Sequence, residues 1–192
     1  MKSIVQSSLM LVMLTLIFGV VYPAVMTGLG QLFWTDRCNG SLVKRDQVVI
    51  GSELIAQKFA RPEYFWPRPS ASDYNAVPSS ASNLGPTSEA LQKLIKTRKE
   101  SLLPSLSEDD VPMDLLTASG SGLDPHILPA TAKLQVKRIV TARNLDENGF
   151  ALVNDLIDKL VEPRQFGILG EDRVNVLSLN LALDRCCSKG QQ

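Results

Sequence analysis

Histidine occurs once in the 192-residue chain and cysteine three times. No C-x-x-C or Cys/His spacing is present, so the usual tetrahedral zinc arrangements are excluded and no metal is expected. Cys38 stands alone, while Cys186 and Cys187 are adjacent. A bridge from Cys38 to either stays open for an oxidising compartment, and free buried thiols are the plainer reading. Neither sign of charge is in excess, because 20 Lys and Arg balance 20 Asp and Glu. That balance argues against nucleic acid or an anionic membrane surface as the main partner. Phosphate-binding signatures are missing too. There is no G-x-x-x-x-G-K-[ST], no G-x-G-x-x-G between a strand and a helix, and no D-K-T-G phosphorylation motif. No G-x-S-x-G elbow occurs. No catalytic residue is therefore assigned.

Charge is also missing from one long stretch, and there the absence is itself a signal. Nothing between Lys2 and Asp36 is ionisable apart from the Tyr22 hydroxyl, and Leu9 to Val25 reads LMLVMLTLIFGVVYPAV. A helix from Ile4 to Val25 is about 33 Å long, enough to cross a bilayer. The ten Leu, Ile, Phe and Val residues from Leu9 to Val25 favour insertion by about 3 to 6 kcal/mol. Phe33 and Trp34 fall where an aromatic belt meets the headgroups. A cleaved signal peptide would need a more basic start, a shorter apolar core and an A-x-A-like site. The expected organisation is a membrane anchor over residues 1–35 and one soluble domain over 36–192, roughly 155 residues and large enough for its own core. A single uncharged span offers no ion pathway. Gly19, Tyr22, Pro23 and Ala24 are the candidates for packing against other helices, and Pro23 is expected to kink the span.

The soluble part has a mixed pattern. Asn39-Gly40 signals a turn, and Ser41 to Val43 and Gln47 to Ile50 read as two short strands. Leu54 to Phe59 fits a helical turn or a strand equally. Pro67 to Ser88, PRPSASDYNAVPSSASNLGPTS, is too rich in Pro, Ser and Gly for regular structure; it reads as a surface loop or a binding loop. Helices are expected over about Ser88–Leu102, Pro129–Ala142 and Glu147–Val161, with an acidic break at Glu108 to Pro112. Arg173 to Leu179 resembles a strand, followed by a short closing helix to Asp184. The fold class is α+β: one transmembrane helix, then a domain with a small sheet and about three helices.

Thr117 to His126, TASGSGLDPH, is the segment densest in reactive groups. Ser119, Ser121, Asp124 and His126 invite a nucleophile-and-base reading, but one Gly-rich loop does not supply the spatial convergence a triad needs. A turn-rich loop that helps to start the helix at Pro129 accounts for the same residues.

Across nearly the whole chain the residues resemble the C subunit of the Kdp potassium-transporting P-type ATPases. The likeness runs through Val21-Tyr22-Pro23, Asn39-Gly40-Ser41-Leu42, Gly51-Ser52, Ile55-Ala56-Gln57, Phe59, Tyr64-Phe65 and Arg68-Pro69-Ser70-Ala71. It continues in Ser82-Asn83-Leu84, Thr117-Ala118-Ser119, Asp124-Pro125-His126, Val174-Asn175-Val176 and Leu179 to Asp184. Trp66-Pro67 and the paired cysteines depart from it. The resemblance implies an accessory, non-catalytic subunit of an ATP-driven potassium importer, described as a catalytic chaperone that raises the ATP affinity of the hydrolysing subunit. Its implied partners are an ATP-hydrolysing P-type subunit, a channel-like subunit that binds the potassium, and membrane lipid. ATP would be the cofactor of the complex. Loop candidates linked to partner or nucleotide are Arg68, Pro69, Ser70, Ser82, Asn83, Leu84, Ser119, Gly122, Asp124 and His126. The resemblance places the domain outside the cytoplasm. Arg37, Lys44 and Arg45 after the span against Lys2 before it lean the other way. A membrane-anchored ligand-binding or sensor domain is the alternative function.

Overall fold

The computed structural model describes residues 2–45, 47–106 and 111–187. Glu108 to Asp110, in the expected acidic break, lie outside the described residues. The chain is α+β and divides into two compact units, Met1–Leu42 and Val43–Gln192.

The first unit is a helix of 32 residues, Lys2–Phe33, long and apolar enough to cross a membrane. It is α-helical as α1 (Lys2–Leu16), π-helical over Ile17–Val21, and α-helical again as α2 (Tyr22–Phe33). The wide turn sits just ahead of Pro23, whose ring crowds the carbonyl four residues back and removes a donor. Gly19 lies within the wide turn and Tyr22, Pro23 and Ala24 begin α2. The helix therefore extends well past Val25, because nothing from Met26 to Phe33 breaks it. Its apolar side chains are exposed along its length, Leu11 and Phe18 by about two thirds. Trp34 N closes the last turn on Gly30 O at 2.8 Å, and the short α3 (Thr35–Cys38) follows.

In the second unit, β1 (Leu42–Arg45) and β2 (Val48–Ser52) form a two-stranded sheet. Leu54 to Phe59 is neither helix nor strand; Ala56 N donates to Leu123 O at 2.9 Å instead. The core lies between α6 (Pro129–Ala142), α7 (Glu147–Leu160) and α8 (Val176–Cys187), with a three-stranded antiparallel sheet in the order β3 (His126–Ile127), β5 (Arg173–Asn175), β4 (Val161–Glu162). Ala132, Val136 and Ile139 on α6 and Val153 and Ile157 on α7 are fully buried, at the i, i+3, i+4 spacing expected of one apolar stripe. Each of the valines and isoleucines stabilises the fold by about 1.5–3 kcal/mol. A smaller cluster of Leu106, Val111, Leu115 and Leu116 joins α4 (Glu89–Leu102) to α5 (Met113–Leu116).

Three expectations are corrected. Arg173 to Leu179 is a strand only as far as Asn175. There Asn175 Oδ1 accepts Ser178 N at 3.1 Å, capping α8, so that Val176, Leu179 and Leu183 face the core at helical spacing. The start of α6 is served not by Asp124 or His126 but by Asp114, which accepts Leu128 N at 3.3 Å and Thr131 Oγ1 at 2.8 Å. A carboxylate there also meets the positive end of the helix. Cys38 and Cys186 are free thiols, and both are exposed rather than buried.

A strap over residues 62–66, which begins in a turn at Pro62 and Glu63, packs on α6 and α8 without any strand partner. Tyr64 N donates to Arg61 O at 3.2 Å, and side chains serve other backbone groups of the strap. Asn180 accepts Phe65 N at 2.8 Å and donates to Phe65 O at 3.0 Å. Gln135 does the same for Trp66, at 2.8 and 3.2 Å. Arg138 donates to Pro62 O and Tyr64 O, and Arg143 to Glu63 O. Burial pushes the Arg138 guanidinium down to about 10, so it stays charged at neutral pH. Its carbon lies 3.6 Å from the centre of the Trp66 ring, a cation–π stack that gives the bulky Trp66 a structural role. The strap drives Phe65 into the core and delivers Arg68 to the site.

Candidate functional site

Two loops distant in sequence meet beyond the strap. Ser119 N donates to Pro69 O at 3.3 Å, and Ser70 Oγ accepts Ser72 N and Tyr74 N at 3.2 and 2.9 Å. Tyr74 OH donates to Arg68 O at 2.8 Å. Burial, aided by Asp73, pushes the Tyr74 phenol up to about 12, which keeps it a proton donor. Gly122 has φ +72, and a Cβ there would stand 2.9 Å from Ser80 O and 3.0 Å from the hydroxyls of Ser70 and Ser72. Only glycine lets the polar loop close over this turn.

Asp124 joins the two loops electrostatically. Its Oδ2 accepts from Arg68 at 3.1 Å and its Oδ1 accepts His126 N at 3.1 Å, with His126 Nδ1 3.5 Å away. Burial alone would raise its pKa, but the hydrogen bonds from His126 and the nearby Arg68 charge outweigh that and hold the carboxyl below its ordinary value. Arg68 Nε is buried without a hydrogen-bond partner among the described residues.

These groups line a cavity of about 220 Å³. Four carboxylates, Asp114, Asp124, Glu171 and Asp172, face two guanidiniums, Arg68 and Arg173. Both guanidiniums are already paired, Arg68 with Asp124 and Arg173 with Glu162 at 2.8 Å. The lining therefore favours positive charge. Of the candidates named from sequence, Arg68, Asp124 and His126 line the cavity, and Pro69, Ser70, Ser119 and Gly122 form the loop junction behind it. Ser82 and Asn83 are exposed and Leu84 is half-buried, none of them lining the cavity. The serine hydroxyls serve turns: Ser119 accepts Asp124 N at 3.5 Å and Ser121 accepts Leu123 N at 3.1 Å.

Asp114, Glu171, Asp172 and Arg173 were not legible as site residues, because no spacing links them to Arg68 or Asp124. Gln135 and Asn180 did carry a signal. Each is an amide set among the apolar residues of a helix, where a buried polar group must have a partner.

Residues 4–185 match the profile of the family described as "K+-transporting ATPase, c chain", KdpC. The chain belongs to the KdpC family. It is 54% identical over 181 residues to the Potassium-transporting ATPase KdpC subunit of Methylococcus capsulatus, covering 92% of this chain and 94% of that one. The subunit of the same name from Paraburkholderia phytofirmans is 51% identical over 176 residues, covering 89% and 90%. That from Koribacter versatilis is 43% identical over 185 residues, covering 95% and 94%. A KdpC chain is by that description one subunit of a K+-transporting ATPase, so partner subunits are implied.

Proposed function

We propose that this chain is the membrane-anchored accessory subunit of an ATP-driven potassium importer, without catalytic groups of its own. Lys2–Phe33 spans the bilayer once, and the domain lies on the extracytoplasmic side. Its partners are an ATP-hydrolysing P-type subunit and a channel-like subunit that binds the potassium. The observation that carries the reading is the family match over residues 4–185, which takes in most of both units. The α1–α2 helix, free of charge beyond Lys2, supports an anchor rather than a conduit.

The effect on ATP is conformational. The domain prefers one state of the pump and shifts the population toward the state with higher ATP affinity, as a catalytic chaperone. A tenfold change needs only about 1.4 kcal/mol of differential binding. The surplus of carboxylates in the Arg68–Asp124 cavity, hostile to a triphosphate, supports this over direct nucleotide contact. The experiment is affinity purification from membranes through a tag on this chain. Two large multi-span polypeptides are expected to co-isolate, and removal of this chain is expected to raise the KM for ATP of the remaining complex. Solitary behaviour would favour a ligand-binding or sensor domain, and labelled ATP trapped on this chain would overturn the conformational mechanism. A tethered hydrolase predicts instead that Ser121→Ala or His126→Ala abolishes activity while assembly persists.

A further inference from the structure

Between β4 and β5 the chain forms a hairpin whose tip is built opposite to the usual rule for a water-exposed turn. Phe166 is 90% exposed, Ile168 79% and Leu169 58%. The tip is nevertheless tightly ordered. Gln165 and Leu169 exchange both backbone hydrogen bonds at 2.9 Å, and Gly167 N donates to Arg164 O at 3.1 Å. Phe166 takes φ +55, a left-handed conformation uncommon for a bulky residue. Below the tip the stem is locked by charge. Arg173 pairs with Glu162 across the strands, Arg164 pairs with Glu171, and Arg164 N donates to Asp172 Oδ1 at 3.0 Å. None of this rigidity buries the three apolar side chains. It sets the backbone that presents them to water, and a set backbone lowers the entropy cost of docking.

The charge around the tip selects the occupant. The stem carries Glu162, Glu171 and Asp172 against Arg164 and Arg173, and both arginines are already paired with stem acids. Glu171 and Asp172 continue into the cavity that holds Asp114 and Asp124. The collar is therefore acidic. An anionic lipid surface would be repelled by it, and a second copy of this chain would present the same acidic collar. A protein face with an apolar recess and a basic rim satisfies both parts.

We propose that the hairpin tip Phe166–Leu169 is a docking element that seats Phe166 and Ile168 in an apolar recess of another polypeptide of the complex, with basic residues of that partner facing Glu171 and Asp172. The proposal rests on the reading of this chain as a subunit of a larger assembly. Aromatic anchors of this kind, once desolvated, dominate interface energetics.

The test uses the full chain in its intact complex in native membranes, with a photoreactive phenylalanine at position 166. Position 77 serves as the control, since Val77 is equally exposed at 90%. Illumination is expected to give an adduct between position 166 and a larger polypeptide that co-isolates with this chain, and far less from position 77. Adding Ile168→Asp with Leu169→Asp is expected to lower that adduct by about tenfold or more, the effect of losing a buried apolar anchor. Glu171→Lys with Asp172→Lys is expected to lower it as well. If the complex co-isolates and position 166 yields only lipid adducts, a homodimer of this chain, or no more than position 77, the docking inference is overturned and the subunit reading stands. If no larger polypeptide co-isolates, both fall.

Discussion

Asp124 is a half-exposed carboxylate whose ionised form is favoured by His126 and Arg68 despite the cost of its burial. Because its folded pKa is depressed, the stability it contributes is complete above the ordinary value of 3.8 and is lost as pH falls through the lower folded value. Asp124→Asn removes that dependence. The variant is expected to be less stable near pH 7, by about 1–3 kcal/mol for charge-assisted bonds of this kind. The difference should shrink as pH falls below 3.8 and through the lower folded value; denaturant titration of the detergent-solubilised chain at several acid pH values measures it. The buried amide clamps are more demanding. Asn180→Leu leaves both Phe65 N and Phe65 O without partners in the core, a cost of about 2–6 kcal/mol. Asn180→Asp retains the acceptor for Phe65 N and lacks the donor to Phe65 O.

At the scale of the elements, Gly149 sets helix propensity against packing. It lies in the first turn of α7, where Asp146 Oδ1 caps it by accepting Gly149 N at 2.8 Å. Replacing a helical glycine with alanine ordinarily stabilises by about 0.5–1 kcal/mol. A Cβ at 149, however, would stand 2.6 Å from Leu145 Cβ, an atom too close to its own backbone to move aside cheaply. Gly149→Ala is therefore expected to destabilise the domain by about 1–3 kcal/mol, read as a lower midpoint in thermal unfolding. The same tension between local pattern and surroundings explains which elements the sequence made legible. α6 and α7 were readable to within a residue or so, because their apolar stripes face one core and Pro129 and Asp146 mark their starts. The segment Arg173–Leu179 misled, since Val174 and Val176 alternate like a strand while the Asn175 cap converts the chain to helix between them. The 62–66 strap left no periodic trace. Apart from the local bonds to Arg61 O, its backbone is held by Gln135, Arg138, Arg143 and Asn180, all more than sixty residues away. The site was half legible for the same reason: Arg68 and Asp124 lie in distinctive loops and His126 directly follows one, whereas Asp114 and the hairpin acids reach the cavity only through the tertiary fold.

For the whole molecule, the thiols offer a direct way to establish the side of the membrane on which the domain lies. Cys38 follows the apolar helix by only five residues and is exposed and free, as is Cys186 in the second unit. Basic residues after the span, Arg37, Lys44 and Arg45 against Lys2 alone before it, tilt toward a cytoplasmic domain. At about two charges the bias is small. The extracytoplasmic reading makes a definite prediction for a variant carrying Cys186→Ser and Cys187→Ser, in which Cys38 is the one thiol left. In intact cells a membrane-impermeant maleimide is expected to label Cys38 to the same extent as after permeabilisation. Labelling that requires permeabilisation would put the domain on the nucleotide side. The conformational route to ATP affinity would then lose its premise, and direct contact with the hydrolysing subunit's nucleotide site would take its place.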